Sequence, residues 1–165
     1  MSTLNEFLKE LDQESTVTRK MLERVPADKI DWQPHPRSMT MKQLAGHIAE
    51  LPGWITMAFT TDEMDFSSTP YTPPVWNTVD ELLEVFDQAL AGARERLSTA
   101  REEELDPQWV LRDADNIYMR LTKRELVRHA ISQTIHHRAQ LGVYLRLLDI
   151  PIPGTYGPSA DEQSF

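Results

Sequence analysis

Apolar residues recur along most of this chain at three- and four-residue steps, the period of a helix with one buried face, and strand-like alternation is nearly absent. Leu4, Phe7, Leu8, Leu11, Met21, Leu22 and Val25 predict a first helix over about 3–24, ended by Pro26. Ser15 and Thr18 fall on that stripe where apolar residues are expected. Local hydrogen bonds or a polar pocket inside the bundle would each accommodate them. Residues 27–38 hold Pro34 and Pro36 and read as a loop, in which Ile30, Trp32 and Pro34 can pack as a lid across one end of the bundle. A second helix runs from Thr40 toward Phe59 on Met41, Leu44, Ile48, Leu51 and Ile55, with a kink expected at Pro52-Gly53.

Residues 61–76, rich in Ser, Thr and Pro, read as a long loop of the kind that forms a lid or pocket wall. Thr78 to Glu81 is a capping box that opens a third helix reaching Leu97. A second capping box, Thr122 to Glu125, opens a fourth helix reaching about Leu148, which Pro151 and Pro153 bar from extending. Residues 102–119 read as a short hairpin or an irregular excursion, and 151–165 as a polar tail. The fold class expected is all-α: one domain over 1–165, a four-helix bundle with long connecting loops, up-and-down or with a crossover.

Composition narrows the chemistry. The 165 residues contain no cysteine, which excludes disulfides, thiolate metal sites and a cysteine nucleophile. The N-terminus lacks a basic segment followed by an apolar run, and no stretch is apolar enough to span a bilayer, so a cytoplasmic location and no membrane partner are expected. A net charge of −9 argues against nucleic acid as a partner. Arg120, Lys123, Arg124 and Arg128 form a local basic cluster that reads as a solvated helix start. No phosphate-binding glycine loop, nucleophile elbow or HExxH motif is present.

The histidines remain. His35 lies in the proline-rich loop without a pattern. His47 sits between Leu44 and Leu51 on the apolar stripe of the second helix and should point into the bundle. On the fourth helix, Leu126, Ala130, Leu141, Tyr144 and Leu148 set the inward direction; His137 falls close to it, and Gln133 lies one turn earlier. His129 and His136 share a flank directed to solvent or a partner subunit. Two inward imidazoles on different helices are either hydrogen-bonded core residues or metal ligands, a known use of bundle interiors. Glu50, one turn after His47, is a surface residue, an orienting partner or a general base.

Leu44-Ala45-Gly46-His47, His136-His137-Arg138-Ala139-Gln140-Leu141, Val143-Tyr144-Leu145-Arg146-Leu147 and Tyr156-Gly157-Pro158-Ser159-Ala160-Asp161-Glu162 together resemble the DinB-like family, which includes bacillithiol- and mycothiol-dependent transferase relatives and takes its name from a DNA-damage-inducible, stress-response protein. The resemblance covers nearly the whole chain. It implies a DinB/YfiT-like bundle, commonly a homodimer, with a divalent metal of zinc, nickel or iron type on three histidines. Those positions fall on His47, Gln133 and His137; the second is not a histidine here. An amide oxygen is a weaker transition-metal ligand than imidazole, so the expected site is a three-ligand site through Gln133, a looser two-histidine site, or an empty one. The function implied is a metal-dependent enzyme, a thiol-dependent S-transferase using a low-molecular-weight thiol or a small-molecule hydrolase. In that scheme Glu50 is the catalytic base candidate and the loops around Trp32 and Trp76 shape the pocket. The alternative is a non-catalytic small-molecule-binding or stress-response module with a degenerate metal site.

Overall fold

The computed structural model describes residues 2–163; Met1, Ser164 and Phe165, the last two ending the expected tail, lie outside the described residues. The helical expectation holds in the main and needs two corrections. Among the described residues there are five α-helices and a three-stranded sheet, not four helices alone: α1 (Thr3–Leu22), α2 (Met41–Glu50), α3 (Gly53–Thr60), β1 (Glu63–Asp65), α4 (Val79–Thr99), β2 (Gln108–Asp113), β3 (Asn116–Thr122) and α5 (Lys123–Leu147).

The first correction follows from Pro52. Its missing N–H and ring interrupt the helix expected from Thr40 to Phe59, so the chain stops at Glu50 and restarts at Gly53 as a separate helix. Capping boxes start α2 at Thr40/Gln43, α4 at Thr78/Glu81 and α5 at Thr122/Glu125, each threonine hydroxyl accepting from the N–H three residues on.

The second correction is the sheet. Residues 102–119 contain a true hairpin, β2 antiparallel to β3, and β1 from the long loop adds parallel to β2. Trp109 and Leu111 point into the core while their neighbours do not, a period-2 pattern too short to stand out against the helical repeat. The hairpin turn puts Ala114 at φ 50°, a left-handed conformation uncommon for alanine. Asp65 holds that turn, accepting hydrogen bonds from the Ala114 and Ser67 amides, both 3.0 Å. Trp109 Nε1 donates to Thr61 Oγ1 at 3.0 Å and ties the sheet to the end of α3.

Helix α1 packs on α4 and α5, and α2 and α3 pack on the same pair. The core joins Leu22, Met41, Leu44, Ile48, Leu82 and Phe86 to Leu126 and Leu141, all fully buried. Trp32 and Ile30 pack against one end of this core as expected, Trp32 edge-on to Tyr144 with centroids 5.6 Å apart, whereas Pro34 is exposed. Three of the four residues of the basic cluster are paired, Lys123 with Asp62, Arg124 with Asp106 and Arg128 with Glu10, and Lys123 is buried rather than solvated. Among the described residues no helix is long and apolar enough to cross a membrane.

Candidate functional site

His47 lies two turns into α2 and His137 midway along α5, on neighbouring helices of the bundle. Their rings meet edge to face, centroids 4.8 Å apart and planes at 78°. Both residues are half-buried rather than sealed in the interior, and His47 lines the edge of a cavity. That cavity, about 380 Å³, is walled by Met39, His47, Trp54, Phe66, Tyr71 and Pro73. Phe66, Tyr71 and Pro73 come from the long loop that ends at Trp76, which forms a wall as expected, while Trp76 itself is wholly buried and no residue of the loop around Trp32 lines the cavity apart from Met39 at its end.

Hydrogen bonds fix how each imidazole is presented. His47 Nδ1 lies 2.7 Å from Glu50 Oε1, and His137 Nδ1 lies 2.9 Å from Gln140 Oε1. A carboxylate and an amide oxygen can only accept, so in its neutral form each ring keeps its proton on Nδ1 and leaves Nε2 free to bind a metal. Glu50 Oε1 also accepts from Tyr71 Oη at 2.6 Å, which ties the long loop to the base of α2. Gln140 extends the chain the other way, its Nε2 lying 3.2 Å from His136 Nε2. Burial, with His47 and His136 close by, lowers the His137 pKa below the usual histidine value, and the Gln140 contact opposes this only in part. Burial of its hydroxyl end and the Glu50 carboxylate raise the Tyr71 pKa above the ordinary tyrosine value.

Of the residues singled out in the sequence, His47, His137 and Glu50 come together here. Gln133 lies one turn before His137, with its amide nitrogen 3.4 Å from His129 Nε2. Ser15 and Thr18 are buried but belong elsewhere: Ser15 Oγ donates to Asp12 O, and Thr18 Oγ1 accepts from Arg138 on the far side of α5. Tyr71, Gln140, Trp54 and Phe66 escaped the sequence reading. Gln140, three residues from His137, was accessible from helical spacing; Tyr71 was not, because its position depends on how the loop folds back.

The donor set can be tested against a divalent ion. Two imidazoles on one ion at roughly 2.0–2.1 Å place their ring centroids about 4.5–5.2 Å apart for bond angles of about 90–110°. The observed 4.8 Å falls in that range. Each ring also has its Nδ1–H held by an oxygen, the arrangement usual behind metal-binding histidines. No cluster of three His, Cys, Asp or Glu side chains forms a metal site among the described residues, and the Gln133 amide meets His129, so His47 and His137 are the two donors brought together. That pair fits a loosely held ion.

Known proteins share this architecture. The uncharacterized protein YrdA of Bacillus subtilis (strain 168) is 26% identical over 164 residues, 97% of this chain and 92% of its own. A DinB-like protein of Bacillus subtilis, YjoA, superposes with a TM-score of 0.68 at 18% identity over 96% of this chain and 99% of that one. A mycothiol-dependent maleylpyruvate isomerase superposes with a TM-score of 0.59 at 12% identity, over 86% of this chain and 63% of that one. Residues 1–164 match the DinB family as a whole, and the chain belongs to the DinB family.

Proposed function

We propose that this protein is a divalent-metal-dependent enzyme acting on a small apolar molecule, in the manner of a thiol-dependent S-transferase or a hydrolase. The observation that carries the reading is the pair of bare Nε2 atoms of His47 and His137 beside an aromatic-walled cavity. His47 and His137 would hold the ion, with Gln133 as the weak third donor. A divalent ion there supplies Lewis acidity, which lowers the pKa of a thiol or water.

The chain's own residues do the remaining work. Glu50 holds the His47 Nδ1 proton and keeps Nε2 facing outward. Tyr71 donates to the same carboxylate oxygen and so fixes both Glu50 and the loop that walls the cavity. Glu50 is also the nearest carboxylate placed to take a proton from a nucleophile, at the cost of releasing His47 or Tyr71. Gln140 orients His137 in the same way that Glu50 orients His47. Trp54 and Phe66 give the substrate an apolar wall and limit water at the reacting end.

One observation favours a second reading, a metal-free binding module: the third-ligand position is a glutamine whose amide nitrogen already meets His129. Thiol-consumption and ester-hydrolysis screens on zinc-, nickel- and manganese-loaded protein separate the two. The enzyme reading expects metal-dependent turnover that His47→Ala abolishes. Turnover in no condition, with small apolar ligands still binding, leaves the binding module.

A further inference from the structure

A second cavity lies on the opposite side of α5 from His137. At about 100° per residue, Arg138, Gly142 and Arg146 lie roughly 100–180° around the helix from it. The cavity, about 530 Å³, is enclosed by α5, Met21 of α1 and the tail segment 152–159. Its walls are apolar, made by Ala139, Gly142, Val143, Leu147, Ile152 and Pro153. Gly142 contributes no side chain to the floor, and a Cβ there would make ordinary contact with Met21 Cε at 3.6 Å.

One end of this groove is polar in a specific way. Arg138 forms part of the wall and is only 2% exposed. Its Nη1 donates to Glu14 O at 3.2 Å and to Thr18 Oγ1 at 3.0 Å and lies 2.7 Å from Glu14 Oε2. Tyr156 packs over the guanidinium, Cζ to ring centroid 5.4 Å; its hydroxyl donates to Glu14 Oε1 at 2.8 Å and lies within reach of the Arg138 side chain. Nε and Nη2 make no well-directed hydrogen bond to Glu14 or Thr18. Those two N–H groups form the side-on fork of arginine, which matches a carboxylate in a bidentate pair. Arg146, by contrast, is occupied by Asp161.

We infer that this groove is a second binding site, for an aliphatic monocarboxylate whose head group sits on the Nε/Nη2 fork of Arg138 and whose chain lies along α5 between Gly142 and the tail. Length sets the size class. From Arg138 to Leu147 the helix rises nine residues, roughly 13 Å, the span of an extended chain of about eight to ten carbons. The cavity volume lies within the range of small-ligand pockets. The inference also gives a role to the Tyr156-Gly157-Pro158-Ser159 segment, which forms the far wall of this groove and is remote from His47. It is independent of the metal proposal.

The test is calorimetric titration of decanoate, decan-1-ol and butanoate into the wild-type protein and into Ala139→Trp, an exposed position where an indole fills the groove without entering the core. The inference expects one equivalent of decanoate, with decan-1-ol and butanoate each weaker by about tenfold or more, as loss of a charge-assisted bidentate pair or of buried chain requires. Ala139→Trp should abolish decanoate binding while its unfolding midpoint and zinc binding stay at the wild-type values. Absence of decanoate binding, equal binding of decan-1-ol, or decanoate binding retained in a folded Ala139→Trp would each overturn it. In the last case His47→Ala, on the wall of the other cavity, shows whether the ligand has entered there.

Discussion

Replacing Arg138 by Met tests whether the polar contact between α1 and α5 is truly desolvated. Glu14 is 7% exposed and Arg138 2%, so both charges are out of water. The Glu14 Oε2–Arg138 Nη1 distance is 2.7 Å, yet Oε2 lacks a well-directed hydrogen bond; it is held by charge more than by direction. Arg138→Met leaves the carboxylate buried with only Tyr156 Oη to stabilise it. Removing one partner of a buried pair costs about 3–5 kcal/mol. At roughly 2–4 °C per kcal/mol for a chain of this length, the melting temperature should fall by about 6–20 °C. The double variant Glu14→Leu/Arg138→Met removes both charges and should recover most of that loss, because an apolar pair of similar volume often matches a buried ion pair. Urea unfolding followed by tryptophan fluorescence on the four members of this cycle gives the coupling directly. A loss under about 1 kcal/mol in the single variant, in the range of an exposed ion pair, would refute the desolvation argument.

Further outcomes concern the metal site and its support. Gly46→Val should destabilise by about 1–3 kcal/mol through overpacking, because even a Cβ there would lie 2.9 Å from the buried Trp76 Nε1; an unchanged urea midpoint would contradict this. Gln133→His restores a third imidazole one turn before His137 and should tighten zinc binding by about tenfold or more, whereas Glu50→Gln should weaken it by about 10–100-fold. In chelator-treated protein, burial lowers the pKa of both His129 and His137. The unfolded chain therefore binds more protons just below the usual histidine value, and stability should fall as pH drops from about 7 through about 6.5 and level off below the folded-state values. A stability profile that is flat or rises over that interval, or NMR titrations of these two rings at or above the usual value, would be the contrary result.

Much of the helical frame was legible because single residues punctuate it. Pro26 lies just past the end of α1 at Leu22, capping boxes at Thr78 and Thr122 start α4 and α5, and the apolar stripes between them match the buried residues; the start of α2 at Thr40 was legible but its capping box was not. Of the sheet, the hairpin was one of two readings of residues 102–119, but β1 was not legible: it is three residues long and depends on a parallel pairing with a strand far along the chain, which leaves no local period to read. At the candidate site, helical spacing was enough to put His47 and His137 on facing surfaces. It could not show that His47 stops at a cavity edge, since that depends on Tyr71 and Pro73 folding back over α2. Arg138 was hidden for a related reason. An arginine beside two histidines on a polar-looking helix reads as solvated, and only the approach of Glu14 and Tyr156, both distant in sequence, buries it.

The most direct test of the proposed metal site is calorimetric titration of zinc into tag-free, chelator-treated protein, for wild type and His137→Ala. The account predicts close to one equivalent in the wild type and loss of that binding in the variant, with the fold intact by circular dichroism. No binding in the wild type, or the same affinity and stoichiometry in both proteins, would contradict it.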